Sequence, residues 1–462
     1  ITMTSMENDA SSAVSSLKCI TTLYPPPAPP SSPQDSEVDQ AIVSSALSNK
    51  KFSNSIVWHC TWSHDGRYLA VSFGSNVCIF IWEDGDNEKT SFSCTATLSG
   101  GHERTVRYLE FAPFTSVSDD DHYVLASASF DGTVAIWESS SSSDDNSPSS
   151  SSPLVWELTA QLEGHESEVK CVTWNNTGTL LASCGRDKSI WIWECFLSGS
   201  IGGGGDEEEG DFECLSVLSS GHEGDIKHIE FCSSHGQFGD GDDILLSSSY
   251  DNTIRCWAED DGEWYCAAVL DKSVHLDTIW SFNIASGIRM VSAGADGCLA
   301  IWRFYTSTER QYLEGEEDTT TNGDGLWKCV GRLADAHNYK SAIKQQPSPQ
   351  EVADNNENSN NDSIESPFPV SKIQPIYSVH CAPARVGHGR IASSCGDNSV
   401  QIYREVLGGT ADRPLFVVDV NIQNAHDNAD VNCIRWHPRD GKILATAGDD
   451  GAVKIWKYNS ME

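Results

Sequence analysis

Along most of the chain, apolar and polar residues alternate in short runs, as in EVKCVTW (168–174), DIKHIEF (225–231) and DVNCIRW (430–436). Period-2 alternation predicts half-buried β-strands, because successive side chains of a strand point to opposite faces. The runs recur. Strand-like segments end in an aromatic at Trp82, Trp137, Trp193, Trp257, Trp302, Tyr403 and Trp456. Six positions before each stands a turn residue: Asn76, Asp131, Asp187, Asp251, Asp296, Asp397 and Asp450. Four positions earlier again stands a hydroxyl: Ser72, Ser127, Ser183, Ser247, Ser292, Ser393 and Thr446. Seven matches at fixed offsets mark an internal repeat, and such repeats build arrays or rings.

Upstream of six of the units lies a histidine (His102, His165, His222, His275, His337 and His426), and the first three follow a glycine. With GH opening a unit and IW or CW closing it, the chain resembles the WD-repeat family over nearly all its length outside the insertions. The resemblance implies four antiparallel strands, a to d, per unit, each unit forming one blade around a central channel. The expected fold is therefore all-β, a seven-bladed WD-repeat β-propeller spanning residues 1–462 as one unit. The sets His102, Ser127, Asp131, Trp137; His165, Ser183, Asp187, Trp193; and His222, Ser247, Asp251, Trp257 read as buried hydrogen-bond networks. In each, the carboxylate holds the imidazole, which reaches the hydroxyl and the indole N–H, so no polar group is left unpaired. Ser, His and Asp also make a hydrolase triad, but catalysis needs one exposed set beside an oxyanion hole. Repeated sets read as scaffold, and no enzyme is expected.

An open ring would leave sheet edges unpaired, so the ends must meet. The outer strands share a register in FSCTATL (92–98), FECLSVL (212–218), WYCAAVL (264–270) and WKCVGRL (327–333), and LKCITTL (17–23) repeats it. The last unit ends too soon after Trp456 for an outer strand of its own. Residues 17–23 are therefore expected to supply it by antiparallel pairing, closing the ring. Between blades lie low-complexity insertions at about 24–51, 139–152, 199–211 and 340–366. They lack the apolar residues needed to offset ordering entropy and read as solvated loops, with phosphorylation of the serine runs as a sharper alternative.

Composition narrows the function. The formal net charge is −37, which argues against nucleic-acid binding and against docking on anionic membranes. No apolar run approaches ~20 residues, so no membrane span is expected. Ile1 as first residue implies an incomplete start, with Met3 and Met6 as candidate initiators, and no secretory h-region follows. The 16 cysteines include no C-x-C or C-x-x-C pair and read as reduced structural thiols of a cytosolic or nuclear protein. Cys19, Cys94, Cys214, Cys266 and Cys329 fall on one repeated outer-strand position in different blades, so they cannot converge on a metal. No cofactor and no cluster are expected.

Family geometry places three residues per blade on the top face: those flanking the first apolar position of strand a, and the one before the turn aspartate. Blades two to four then present Arg107, Phe130, Lys170, Arg186, Lys227 and Tyr250, with Trp58, Trp280 and Tyr377 adding aromatics. Arginine and aromatic residues anchor protein interfaces, and cations among aromatics suit a ligand carrying carboxylates. These nine are the expected partner-binding residues, Arg186 foremost; neighbouring acids such as Glu103 or Glu166 could instead neutralise the cations.

LEGHESEVKCVTWNNTGTLLASCGRDKSIWIWE (162–194), LLSSSYDNTIRCWAEDDGEWYCAAVL (245–270) and ILATAGDDGAVKIW (443–456) resemble the WD-repeat family of the cytosolic iron–sulfur protein assembly machinery. Blades five and six match less well. The resemblance implies a non-catalytic scaffold, a monomer within a hetero-complex, that helps deliver [4Fe–4S] clusters to cytosolic and nuclear client apoproteins. The implied partners are a DUF59-type protein, a HEAT-repeat adaptor and an iron-only-hydrogenase-like cluster carrier, and some recruited proteins end in an acidic-plus-tryptophan tail. The alternative is a ubiquitin-ligase substrate receptor or a histone-binding propeller. A basic histone tail would want an acidic mouth, and no adaptor-binding box is evident.

Overall fold

The computed structural model describes residues 15–26, 55–83, 91–113, 122–140, 154–196, 211–233, 238–286, 288–306, 309, 326–333, 373–384 and 389–460. His337, and most of the four insertions, lie outside these residues. The described strands form seven four-stranded antiparallel sheets. Each is one blade of a β-propeller, with its inner strand a facing a central channel. The seven inner strands are Cys60–Trp62, Val106–Phe111, Val169–Trp174, Ile226–Ser233, Ile279–Ser286, Ile376–Cys381 and Val431–Trp436.

Alternation along the strands has a simple cause. Each sheet is covered on both faces by its neighbours, so second strands such as Val124–Ser129 and Ile443–Gly448 are built of apolar and small residues and are buried at every position. Outer strands meet solvent, as Val155–Leu162 does, and inner strands alternate toward the channel, as Val106–Phe111 does. The cores are thus layers between blades, filled by large side chains such as Trp302, Tyr403 and Trp436.

Ring closure is visible residue by residue. Ser16–Leu23 pairs antiparallel with Val453–Asn459, from Ser16 opposite Asn459 to Leu23 opposite Val453. A bulge falls between Cys19 and Thr21, with Cys19 opposite Trp456. The same bulge stands beside the repeated aromatic elsewhere: Cys214 faces Trp193, Cys266 faces Trp257 and Cys329 faces Trp302. The N-terminal segment therefore takes the register of an outer strand.

Blade one departs from the sequence reading. Its second and third strands, Tyr68–Phe73 and Asn76–Glu83, are joined by only Gly74 and Ser75, whereas blade two uses the four residues 130–133. The shorter turn slips the pairing. Phe80, not Trp82, stands opposite Cys94, and Val71 faces Cys78 as Ser127 faces Ala135. Blade one therefore has an apolar pair, Val71 and Phe80, where other blades have a hydroxyl and an indole. Replacing both partners of a buried hydrogen bond by apolar groups can be nearly neutral, so the blade folds without the network. Trp82 instead stacks on Phe92, with centroids 6.0 Å apart.

Five blades carry the His–hydroxyl–Asp–Trp set among the described residues. In blade four, His222 Nδ1 lies 2.9 Å from Asp251 Oδ2 and Nε2 lies 2.7 Å from Ser247 Oγ, which also accepts from Trp257 Nε1 at 2.8 Å. His102 with Asp131, Ser127 and Trp137 repeats this in blade two, and His165 with Asp187, Ser183 and Trp193 in blade three. Blades five and seven do the same through His275 and His426. Burial would raise the carboxylates, but the imidazoles hold Asp131, Asp187 and Asp251 below the usual aspartate range. The glycine of GH fits the same arrangement: a Cβ on Gly101 would lie 2.5 Å from the Trp137 ring. Each hydroxyl is at zero exposure and each histidine side chain is covered.

Candidate partner-binding site

The top of the channel is built by one local device. In blades two to seven, strand a bulges directly after its first apolar residue: Val106, Val169, Ile226, Ile279, Ile376 and Val431. That apolar residue is locked between blades at 0–2% exposure. The next residue has no partner in the ladder, and a bulge of this kind re-aims its side chain. Arg107, Lys170, Lys227, Trp280, Tyr377 and Asn432 occupy these slots. In blade one, Trp58 precedes the short strand Cys60–Trp62 and takes the equivalent place.

Two clusters result. In the first, Arg107 lies 5.0 Å from the Trp58 ring, Trp58 meets Phe130 edge-on at 6.2 Å, and Lys170 Nζ lies 4.3 Å from the Phe130 ring. Lys170 also pairs with Glu168. Arg186 Nη1 approaches the same carboxylate at 3.8 Å with its side chain 60% exposed. Its position is set by the turn: Arg186 N–H donates to Glu168 O, and Lys188 adopts φ 68° to complete the reversal. In the second cluster, Lys227 pairs with Asp225 at 3.1 Å and lies 4.4 Å from Tyr250 and 5.2 Å from Trp280. Trp280 meets Tyr250 at 6.3 Å and Tyr377 at 5.5 Å. Tyr377 OH donates to Asp430.

The neutralising acids are thus Glu168 and Asp225 rather than Glu103 or Glu166. They do not balance the first cluster. Arg104, which the sequence reading missed, joins it: its Nη2 donates to Glu168 at 3.2 Å and its guanidinium lies 6.0 Å from Phe130. Three cations share one carboxylate, and among the described residues no carboxylate pairs with Arg107. Burial lowers the Arg107 and Lys227 pKa values, Asp225 opposing it at Lys227. Across the mouth the sign reverses, and burial with neighbouring Asp449 and Asp397 raises Asp430. The mouth is cationic over blades two to four and acidic over blades six and seven.

Below it, a cavity of about 310 Å³ touches all seven inner strands. Its wall includes His59, Tyr108, Glu110, His228, Glu230, His380 and Arg435. Arg435 reaches four groups on three other blades or its own: Nη1 donates to Ser378 Oγ and Ile434 O, Nη2 to His59 Nε2 and Tyr108 OH, all within 2.8–3.2 Å. Burial, reinforced by the Arg435 charge, lowers His380 to about 3. An unfolded histidine titrates near 6.5. The stability His380 contributes is therefore present above pH 6.5 and lost as pH falls toward 3. Asparagine at this position keeps an acceptor for the Trp436 N–H that His380 Nδ1 binds at 3.2 Å. Between pH 7.5 and pH 5, wild type should lose about 2 kcal/mol more than His380→Asn. Parallel urea curves for the two proteins at both pH values would refute this.

One group among the described residues has metal-ligand character: atoms of His275, Asp296 and Cys298 lie within 4.8 Å of one another. Arg332 donates to Cys298 Sγ at 2.9 Å and to Asp296 Oδ2 at 3.4 Å, so a guanidinium already supplies positive charge there. Burial pushes the Cys298 thiol up to about 12.

The WD domain, G-beta repeat family matches residues 92–138, 156–194, 212–258 and 418–457. Curated fungal relatives similar to this chain carry the name probable cytosolic iron-sulfur protein assembly protein 1. That of Debaryomyces hansenii is 32% identical over 452 residues, covering 88% of this chain and 98% of its own. That of Vanderwaltozyma polyspora is 34% identical over 368 residues, covering 78% and 82% respectively. That of Candida albicans is 29% identical over 441 residues, covering 86% and 98%. With near-full coverage above 30% identity and the same repeat in the sequence and in the ring, the chain belongs to the cytosolic iron-sulfur protein assembly protein 1 family of WD-repeat propellers.

Proposed function

We propose that this propeller is a non-catalytic scaffold of cytosolic iron–sulfur protein assembly, acting in the targeting complex that delivers [4Fe–4S] clusters to apoproteins. Its partners on this reading are the DUF59-type and HEAT-repeat subunits, the iron-only-hydrogenase-like cluster carrier and client apoproteins of cytosol and nucleus. The relatives' names support the assembly role. The observation that carries the binding site is the unbalanced group of Arg104, Lys170 and Arg186 around Glu168, beside Arg107 and Trp58.

An acidic-plus-tryptophan tail suits this group. Its carboxylates would pair with Arg186 and Arg107, and its indole would pack among Trp58 and Phe130. The acidic side formed by Asp430 and Asp449 would repel the tail's charged end and so fix its direction. Arg186→Glu should weaken a fluorescent tail peptide on the order of 100-fold, since an attractive contact becomes repulsive. Arg186 is exposed, so the melting temperature should not move. Equal affinities for wild type and variant would remove the tail from this site. Affinity purification from cytosol tests the wider role. Recovery of the DUF59-type and HEAT-repeat proteins supports it, whereas cullin adaptors or histones without them would replace it with a ligase-receptor or histone-binding reading.

A further inference from the structure

Blade three carries two thiols that face each other across its inner strands. Cys171, on Val169–Trp174, and Cys184, on Leu180–Gly185, are register partners, and both are fully buried. Their sulfurs turn to the same side, against blade four: Cys171 Sγ lies 3.7 Å from Ile229 O and Cys184 Sγ 3.8 Å from Ile226 O. Directly opposed residues of an antiparallel pair have Cα atoms about 4.5–5.5 Å apart, a separation a disulfide spans.

His228 of blade four stands against this pair. Its Nδ1 lies 3.6 Å from Cys171 Sγ and its Nε2 lies 4.0 Å from Glu230 Oε2. The carboxylate favours an imidazolium, and the imidazolium favours a thiolate. Burial alone would raise Cys171, but the Cys184 thiol and His228 overcome it and hold Cys171 below the ordinary thiol value. Burial likewise opposes the charge on His228, yet Cys171 and Glu230 lift it to about 9. Burial and the facing Cys171 push Cys184 up. Cys171 is thus the sulfur disposed to ionise and Cys184 the one disposed to keep its proton, and the His228 ring beside them lines the central cavity.

We propose that Cys171 and Cys184 are an oxidisable pair that hydrogen peroxide converts to a disulfide within blade three. The Cys171 thiolate attacks one peroxide oxygen, an S–O bond forms and the O–O bond breaks. The departing hydroxide takes a proton from His228 and leaves as water. The Cys184 sulfur then attacks the Cys171 sulfenic sulfur. An S–S bond forms, the S–O bond breaks, and hydroxide leaves with the Cys184 proton as a second water. The two thiols lose two electrons and the peroxide gains them. The link would join the strands immediately after Lys170 and two residues before Arg186, behind the cationic half of the mouth.

The test treats the full chain with graded hydrogen peroxide, caps remaining thiols with N-ethylmaleimide and maps peptides without reduction. The expected product is a Cys171–Cys184 linked peptide that accumulates before the exposed Cys214 is half oxidised. Dithiothreitol should return both thiols. Cys184→Ser should stop at a Cys171 sulfenic acid captured by dimedone, and Cys171→Ser should give neither product. Oxidation of Cys214 while Cys171 and Cys184 both remain free would overturn the proposal. So would the absence of a dimedone adduct on Cys171 in Cys184→Ser.

Discussion

Deleting residues 1–23 should abolish cooperative unfolding and leave a protein that self-associates. Among the described residues, the segment Ser16–Leu23 is the strand that pairs with the outer side of Val453–Asn459. Its removal takes away Leu17 and Leu23, now 7% and 6% exposed, and uncovers the edge beside Ile455 and Trp456. Two buried leucines contribute roughly 1.5–3 kcal/mol each, and the lost ladder adds about 1 kcal/mol per hydrogen bond. The total is comparable with the whole stability of a typical domain, about 5–15 kcal/mol. An unpaired apolar edge is also a template for a second chain. Circular-dichroism melts and gel filtration should show a lost transition and higher oligomers. A synthetic peptide of residues 15–26 should restore the transition in trans. A truncated protein that melts within a few degrees of the full chain would show that closure rests elsewhere.

The second large effect is expected at Arg435. Its guanidinium ties blade seven to Ser378 of blade six, His59 of blade one and Tyr108 of blade two, and among the described residues it pairs with no carboxylate. Methionine fills similar volume but donates nothing, leaving Ile434 O and His59 Nε2 short of a donor, while Ser378 Oγ still accepts from the Ile434 N–H. Each unsatisfied polar group costs about 1–3 kcal/mol, so Arg435→Met should lose on the order of 3–5 kcal/mol. The loss of a nearby positive charge should also raise the pKa of His59, which burial with the Arg435 charge now holds at about 4. The midpoint in urea measures the first effect, and the His59 ring resonance across pH measures the second. If the midpoint and the titration both stay put, Arg435 is a bystander.

The ring, the closing strand and the repeated polar sets follow from patterns with a fixed period, because every blade solves the same packing problem. Ser16–Leu23 was legible as an outer strand because Cys19 and Leu23 keep the spacing that Cys214 and Leu218 keep. Blade one was misread at Ser72 and Trp82, since a two-residue turn changes the pairing without changing the offsets along the chain. The top-face slots were legible from position within strand a, but the electrostatic balance was not. Arg104 occupies no projected slot, and it reaches Glu168 only because the loop before strand a folds over the turn at Phe130. The channel wall was also hidden: Arg435, His228 and His380 sit at polar positions of alternating strands, which sequence alone cannot tell from solvent-facing ones. The GH signature and the cysteine register would not have separated Cys171 from its buried neighbours, because His228 comes from the next blade.

The bulge after the first apolar residue of each inner strand separates folding from recognition. A residue that belongs to no ladder leaves the pairing of its own sheet to its neighbours, so these positions accommodate different chemistries, although Asn432 also donates across to Val57 O of blade one. Arginine, lysine, tryptophan, tyrosine and asparagine already occupy equivalent slots in one ring with the backbone unchanged. The rim therefore behaves like a keyboard with one replaceable key per blade. Divergent lineages could retune what the disc grips, key by key, without a compensating change in the scaffold beneath.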